Sequence, residues 1–195
     1  MSLKFAAFST DFDCYNPLSI LRPVLVSDET DYILYVKSHT IEFQQTSWKT
    51  GINLKTILVE ISDFVKDYSI CSCADSIFIF FNLQSETSNS GLVKIINFIK
   101  SKFSYDKMSY DSKMNIIGFY TDEDKIITTY HENTILALVS ACGIPSECFR
   151  LNINENIDVL NLYQDFVKEA LARKYDITNF GMRNDAMSDS NCLLI

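Results

Sequence analysis

An unbroken apolar run in the middle of the chain limits the possible folds more than any other feature. Residues 77–81 are five consecutive β-branched or aromatic residues between polar ends. A strand that is covered on both faces is apolar throughout, whereas a strand with one solvated face alternates apolar and polar residues. We therefore predict that 75–82 is the central strand of a parallel sheet.

Apolar residues at helical spacing flank this strand on both sides. The stretches 52–65 and 92–103 each place them on one stripe, and so does 155–174, which ends in two basic residues that favour the helix dipole. A further helix is predicted over 133–142, ending at Gly143. Alternating helices and buried strands indicate an α/β sandwich of three layers.

Six stretches are predicted as strands of one sheet, which is mostly parallel with one antiparallel edge strand. Two of them flank His39 and predict a hairpin at that edge. His39 is interpreted as a turn residue, because no second metal ligand lies at a useful spacing from it. The predicted strands are 4–9, 32–36, 40–43, 75–82, 115–120 and 147–151.

The connection after the first strand predicts a helix of only a turn or two. Pro17 suits the first turn of a helix, where its missing N–H is harmless, and we expect Pro23 to end the helix.

Composition excludes several classes of function. With 195 residues and 47% hydrophobic content, the chain is long and apolar enough for one folded domain, which we place at 1–174. The net charge is −8, and the longest basic cluster is the pair at 173–174, so nucleic acid is not an expected partner. Apolar runs fall short of the ~20 residues of a membrane helix, and we expect a cytoplasmic protein.

The six cysteines do not predict a metal site. They lack zinc-site spacing, and the closest pair is Cys71 and Cys73. In a cytoplasmic protein we interpret them as reduced and mostly buried, and no metal is expected.

The last of these cysteines belongs to a different pattern. Residues 175–195 are rich in Asn, Asp and Ser, which predicts a flexible tail, and they end in Cys192-Leu193-Leu194-Ile195. A cysteine followed by two aliphatic residues and a final aliphatic one predicts prenylation of Cys192. One prenyl chain anchors only weakly and the tail has no basic cluster, so we expect reversible residence on the cytosolic face of a membrane.

Three stretches resemble motifs of the Ras superfamily of small GTPases, and of its Rab-like members most of all. Residues 41–49 lie where that family has a strand followed by Asp-Thr-Ala-Gly-Gln. Residues 74–82 are similar to its Ala-Asp-x-x-Ile-x-Val-Tyr-Asp strand, and 155–160 to the Glu-Asn-Val-Asp start of its last helix. The resemblance covers about 3–174 and implies the topology of a small GTPase, a relative of the P-loop NTPases.

The chemistry of that family depends on a glycine-rich phosphate loop, and here the matching span lacks it. Over 11–18, Asn16 stands at the second glycine, Pro17 at the lysine and Leu18 at the magnesium-binding hydroxyl. The first glycine of the chain is Gly51. Glycines let backbone N–H groups wrap a phosphate, and proline removes a donor, so we predict loss of magnesium-dependent triphosphate binding.

The other family motifs are altered as well. Residues 45–48 stand at Asp-x-x-Gly, with Lys49 in place of the water-positioning glutamine. The guanine-reading Asn-Lys-x-Asp becomes 121–124, in which only Asp124 matches, and Thr30 is a candidate for the switch threonine. The residual nucleotide contacts that the resemblance implies are Asp124, Thr121 and Ser19.

The first hypothesis is a prenylated pseudo-GTPase of membrane trafficking or signalling, a protein-binding module without cofactor or catalytic residue. Its effector or scaffold partners would dock near the former switch surface, through Trp48 and Tyr32. An alternative is an active switch with weak GTP hydrolysis that holds GTP or GDP and magnesium through Asp124 with Ser19 or Thr10. A third is an unrelated enzyme on a doubly wound sheet, for which the sequence offers no recognisable set of nucleophile, base and orienting residue.

Overall fold

One sheet with helices on both faces organises the computed structural model, which describes residues 1–11, 13–25, 35–37, 40–46, 53–71, 73–103, 113–122, 137 and 146–178. The strands are β1 Ser2–Ser9, β2 Tyr35–Lys37, β3 Thr40–Thr46, β4 Asn53–Ile61, β5 Ser76–Asn82, β6 Lys113–Tyr120 and β7 Ser146–Asn152. The helices are α1 Pro17–Leu25, α2 Tyr68–Cys71, α3 Glu86–Phe103 and α4 Asn156–Tyr175.

Five of the strands form a parallel sheet in the order β4-β1-β5-β6-β7. At the β4 edge, β3 pairs antiparallel with β4, and β2 pairs antiparallel with β3. Over the described ranges the sheet therefore has seven strands, one more than the six predicted, and only β3 runs opposite to the other strands.

The predicted central strand is confirmed. All seven residues of β5 are buried, and β5 is the third of the five parallel strands. Phe78 on one face packs against Phe5 and stacks on Phe166 of α4, with ring centroids 5.2 Å and 4.8 Å apart, respectively. The other face meets α2 and α3, so a continuous apolar run is what a strand between two helical layers requires.

The predicted helix over 52–65 is wrong, because 53–61 is the strand β4. Leu54, Thr56 and Leu58 are buried and point to one face, a period of two residues. The positions of Leu54 and Leu58, four residues apart, suit one face of a helix as well as one face of a strand. Pairing with β1 on one side and β3 on the other decides between them.

The first helix begins at Pro17 as predicted, but it continues past Pro23 to Leu25, so the predicted end is wrong. A proline inside a helix removes one backbone hydrogen bond. Burial of Ile20 and Leu21 in the core shared with α4 offsets that loss.

The remaining predictions can be placed in the same way. The predicted strands 4–9, 115–120 and 147–151 lie within β1, β6 and β7, and the helices 92–103 and 155–174 match α3 and α4. Of the helix predicted over 133–142, the described residues include only Ala137, which is helical. Among the helices that can be described, none combines the length and the apolar character needed to cross a membrane.

The end of α4 is tied to the amino ends of β1 and β5 through Asp75. The Lys4 backbone N–H donates to Asp75 Oδ2 over 2.7 Å, and Lys174 Nζ lies 2.8 Å from Asp75 Oδ1. Arg173 donates to the Asp75 carbonyl and to Ser76 Oγ. The helix then ends at Asp176 in a left-handed conformation, so the last described residues leave from the amino edge of the sheet.

Candidate functional site

The carboxyl edge of the sheet is where a ligand of a doubly wound fold binds, at the point where strand order reverses. The chain passes from β1 to β4 on one side and then to β5 on the other, which places this point at the end of β1. The β1–α1 loop, the end of β4 and the loop after β5 meet there. The span predicted to replace the phosphate loop, 11–18, lies at the centre of this edge.

Backbone donors of the β1–α1 loop turn inward on the loop itself. The N–H groups of Cys14 and Tyr15 both donate to the Asp11 carbonyl, over 3.2 Å and 2.8 Å. In a phosphate loop such groups point outward into a concave nest for an anion. Here this pair of donors closes a turn.

The N–H groups of the first turn of α1, which lack helical acceptors, can be accounted for one by one. Pro17 has no N–H. The Leu18 N–H donates to Glu60 Oε1 at the end of β4 over 3.2 Å. The Ser19 N–H donates to Asn16 Oδ1 over 2.7 Å, and the Ile20 N–H to the Asn16 carbonyl over 3.3 Å. Asn16 is thus a side-chain N-cap, and each donor of the turn has an acceptor within the chain.

Ser19, predicted as a residual phosphate donor, has its hydroxyl engaged in the same cap. Its Oγ donates to the Asn16 carbonyl over 2.7 Å. Thr10, the other hydroxyl considered for phosphate, makes a short hydrogen bond with Ser88 Oγ at the start of α3. A Cβ on Gly91 would lie 3.2 Å from Thr10 Cβ, which shows how closely α3 approaches the end of β1.

The charge at this edge is negative, which disfavours phosphate. Asp11 Oδ2 accepts from Asn82 Nδ2 over 3.1 Å, Asp13 is exposed, and Glu60 is half-buried. Residues 10–20 contain no Lys or Arg. A phosphate brought to this loop would meet carboxylates in the place where nucleotide-binding loops supply a cation.

The loops after β5, β6 and β7 are joined by side-chain hydrogen bonds that centre on Gln84. Gln84 Oε1 accepts from the N–H and the Oγ1 of Thr121, each over 2.9 Å, and Gln84 Nε2 donates to the Asp122 carbonyl over 2.8 Å. Asn154 Nδ2 donates to the Thr121 carbonyl over 2.9 Å. Thr121, predicted as a residual nucleotide contact, therefore holds neighbouring loops together.

The predicted match of 45–48 to Asp-x-x-Gly does not fit this geometry. Because β3 is antiparallel, Thr46 pairs with Asn53 at the start of β4, at the edge away from α1. The strand that ends beside β1 is β4, and Glu60 is its next-to-last residue. Sequence reasoning missed Glu60 because it lies within the helix predicted over 52–65; the available signal was the enrichment in β-branched residues at 56, 57, 59 and 61.

Several predicted site residues lie outside the described residues. They are Thr30, Tyr32, His39, Trp48, Lys49, Asp124 and Cys192. In the described part of the chain, no three His, Cys, Asp or Glu side chains are arranged to hold a metal ion.

The described cysteines differ sharply in their expected reactivity. Cys71 is buried, and burial, with the nearby Asp67 carboxylate, raises the pKa of its thiol to about 12. Cys14 and Cys73 are exposed. The thiolate is the reactive form, so the raised pKa makes Cys71 the least reactive of these three cysteines.

We therefore expect iodoacetamide to modify Cys14 and Cys73 in the folded protein and to leave Cys71 unmodified. Peptide mass spectrometry after native labelling measures this, and labelling in denaturant, where all three should react, is the control. Modification of Cys71 at the rate of Cys73 would contradict the buried position.

Comparison with known protein families and curated proteins identified no relative of this chain. No protein-family model matches the chain, and no curated protein is significantly similar to it.

Proposed function

We propose that this protein is a pseudo-GTPase, a small-GTPase-like domain that works as a protein-binding module in membrane trafficking or signalling. The arrangement that supports a three-layer, P-loop-like topology is the parallel order β4-β1-β5-β6-β7 with antiparallel pairing at β4 and helices on both faces. The loop between β1 and α1 then takes the position of a phosphate loop.

The observation that carries the proposal is that five described backbone donors of that loop and of the start of α1 already have acceptors within the chain. Cys14, Tyr15, Leu18, Ser19 and Ile20 each donate their N–H to an acceptor in the chain. A phosphate would have to displace these acceptors and would find carboxylates where a cation is needed. Binding would lose at least part of the free energy that a preformed nest supplies.

The former switch surface would be the loop 62–67 after β4, since that strand ends beside α1. In this loop Phe64 is buried, Val65 is 55% exposed, and the Asp63 and Lys66 side chains form an ion pair of 2.8 Å. Hydrogen bonds from the Lys66 side chain and backbone, together with the Lys66 charge, lower the pKa of Asp63. An ordered turn that presents an apolar side chain is a suitable contact for an effector or scaffold protein.

Membrane residence would come from a prenyl chain on Cys192, reversibly and on the cytosolic face. The described end of α4 supports this arrangement, since it leaves from the amino edge of the sheet, opposite the loop 62–67. A lipid at one end and a docking loop at the other would let the protein recruit partners to a membrane.

The alternative, an active switch that binds GTP or GDP with magnesium, has one specific requirement. The carboxylate of Glu60 and the cap from Asn16 would have to leave α1 whenever nucleotide enters. Nucleotide would then compete with intramolecular acceptors at very high effective concentration.

Nucleotide content tests the proposal directly. We expect protein purified from cells and then denatured to release no stoichiometric guanine or adenine nucleotide. We also expect added Mg-GTP or Mg-GDP to leave Tm unchanged. A site filled at 100 times its Kd would stabilise the fold by about 2.7 kcal/mol, which is roughly 5–10 °C for a chain of this size.

The control is the same protein with matched magnesium and sodium triphosphate in place of nucleotide. Stoichiometric GDP or GTP in the purified protein, or a nucleotide-specific rise in Tm, would refute the pseudo-GTPase and favour the switch.

A further inference from the structure

Glu60 is placed by the sheet to face the first turn of α1. In the β1–β4 pairing Glu60 lies opposite Ala7, and strand alternation puts it on the face of Leu54, Thr56 and Leu58. That face packs against α1 and α4. Glu60 is therefore placed by a strand, through its pairing with β1, and not by a loop.

The bond that Glu60 makes is the one an external anion would make. The N-terminus of a helix carries partial positive charge and unpaired N–H donors, which favour a carboxylate or a phosphate. In α1 the Asn16 side chain takes the Ser19 N–H, and Pro17 offers none. The Leu18 N–H remains, and its acceptor is the charged Glu60 carboxylate at 3.2 Å.

We propose that the Glu60 carboxylate is an intramolecular ligand of the α1 N-terminus, a tethered anion that takes the place of a bound phosphate. This inference rests on the proposed function. It explains how the start of α1 is stabilised when no nucleotide phosphate is bound there. The same bond joins α1 to the end of β4, where the loop 62–67 begins.

Removing the tethered anion should create a site for a free one. We expect Glu60→Ala to lower Tm by about 2–4 °C, the loss of one charged cap in a chain of this size. Sodium acetate or inorganic phosphate should restore most of that loss relative to sodium chloride at equal ionic strength. The wild type should show no difference between these salts.

Asp13→Ala is the matched control. Asp13 is exposed in the same loop, so this change removes one negative charge from the same edge without removing the acceptor of the Leu18 N–H. Glu60→Gln is the second variant, because the amide oxygen can still accept that N–H while the charge is lost. We expect Glu60→Gln to fold and to gain less from acetate or phosphate than Glu60→Ala.

The outcomes separate the two proposals. Anion-specific stabilisation of Glu60→Ala alone supports the tethered anion. Equal salt responses of Glu60→Ala, Asp13→Ala and the wild type would overturn it, as would a Glu60→Gln variant that gains as much as Glu60→Ala. Should Glu60→Ala fail to fold, a Tm of Glu60→Gln that is lowered relative to Asp13→Ala would support it, and an undiminished Tm in Glu60→Gln or an anion response in the wild type would overturn it. Nucleotide found in the purified wild type would refute the pseudo-GTPase whatever these variants show.

Discussion

Replacing Asp75 by alanine is expected to lower the free energy of unfolding by about 2–4 kcal/mol. Its carboxylate, with a side chain only 19% exposed, accepts from the Lys4 backbone N–H over 2.7 Å and pairs with Lys174 over 2.8 Å. The substitution leaves a backbone donor in β1 without that acceptor and removes the ion pair that joins Lys174 of α4 to the start of β5. Chemical denaturation measured by circular dichroism gives the change directly.

The control for Asp75 is Asp165→Ala on the outer face of α4. Asp165 is 75% exposed and lies 4.0 Å from Lys168, so its removal should cost less than about 0.5 kcal/mol. A double-mutant cycle of Asp75→Asn with Lys174→Met isolates the ion pair from the bond to Lys4. A loss for Asp75→Ala no larger than that for Asp165→Ala would show that the end of α4 is not held by this carboxylate.

Gly118→Ala is expected to destabilise the protein by about 1–3 kcal/mol through overpacking. A Cβ at this position of β6 would lie 2.9 Å from Leu83 Cδ2 and 2.9 Å from Phe81 Cζ. Phe81 is fully buried in β5, the strand paired with β6, so its ring has little room to move. Thermal and urea unfolding should show the loss with an unchanged m-value.

Gly91→Ala provides the contrasting case. Its added Cβ would meet Thr10 Cβ at 3.2 Å, a contact that a small shift relieves, and alanine favours a helix interior over glycine by about 1 kcal/mol. We expect Gly91→Ala to lie close to the wild type. If Gly118→Ala were equally neutral, Leu83 would be able to move aside and this part of the core would be looser than the contacts indicate.

The carboxyl edge and the amino edge of the sheet each anchor one end of a helix. At the carboxyl edge the Asn16 cap and the Glu60 carboxylate satisfy the start of α1. At the amino edge the Asp75 cluster fixes the end of α4. The proposed docking loop and the proposed lipid would thus belong to opposite ends of one rigid sheet.

Local sequence patterns were sufficient to predict those elements whose residues all favour the same secondary structure. The apolar run of β5 can only be buried on both sides, and the long stripe of α4 with its basic last turn has no competing interpretation. Pro17 likewise marks the start of α1, because in a first turn its missing N–H costs no helical hydrogen bond. The absence of glycine and lysine from 11–18 was also visible in the sequence alone, and it already disfavoured phosphate.

Tertiary structure decided what depends on partners distant in sequence. Residues 53–61 have apolar spacing that suits a helix or a strand, and only pairing with β1 and β3 makes them β4. That pairing carries Glu60 to Leu18 of α1, 42 residues away. The pairing of β5 with β6 likewise brings Gln84 into hydrogen-bonding distance of Thr121 and Asp122. The sequence alone determined that this edge lacks the groups for phosphate; the sheet determined which acceptors satisfy the donors there, because hydrogen bonds form between whichever groups the strands bring together.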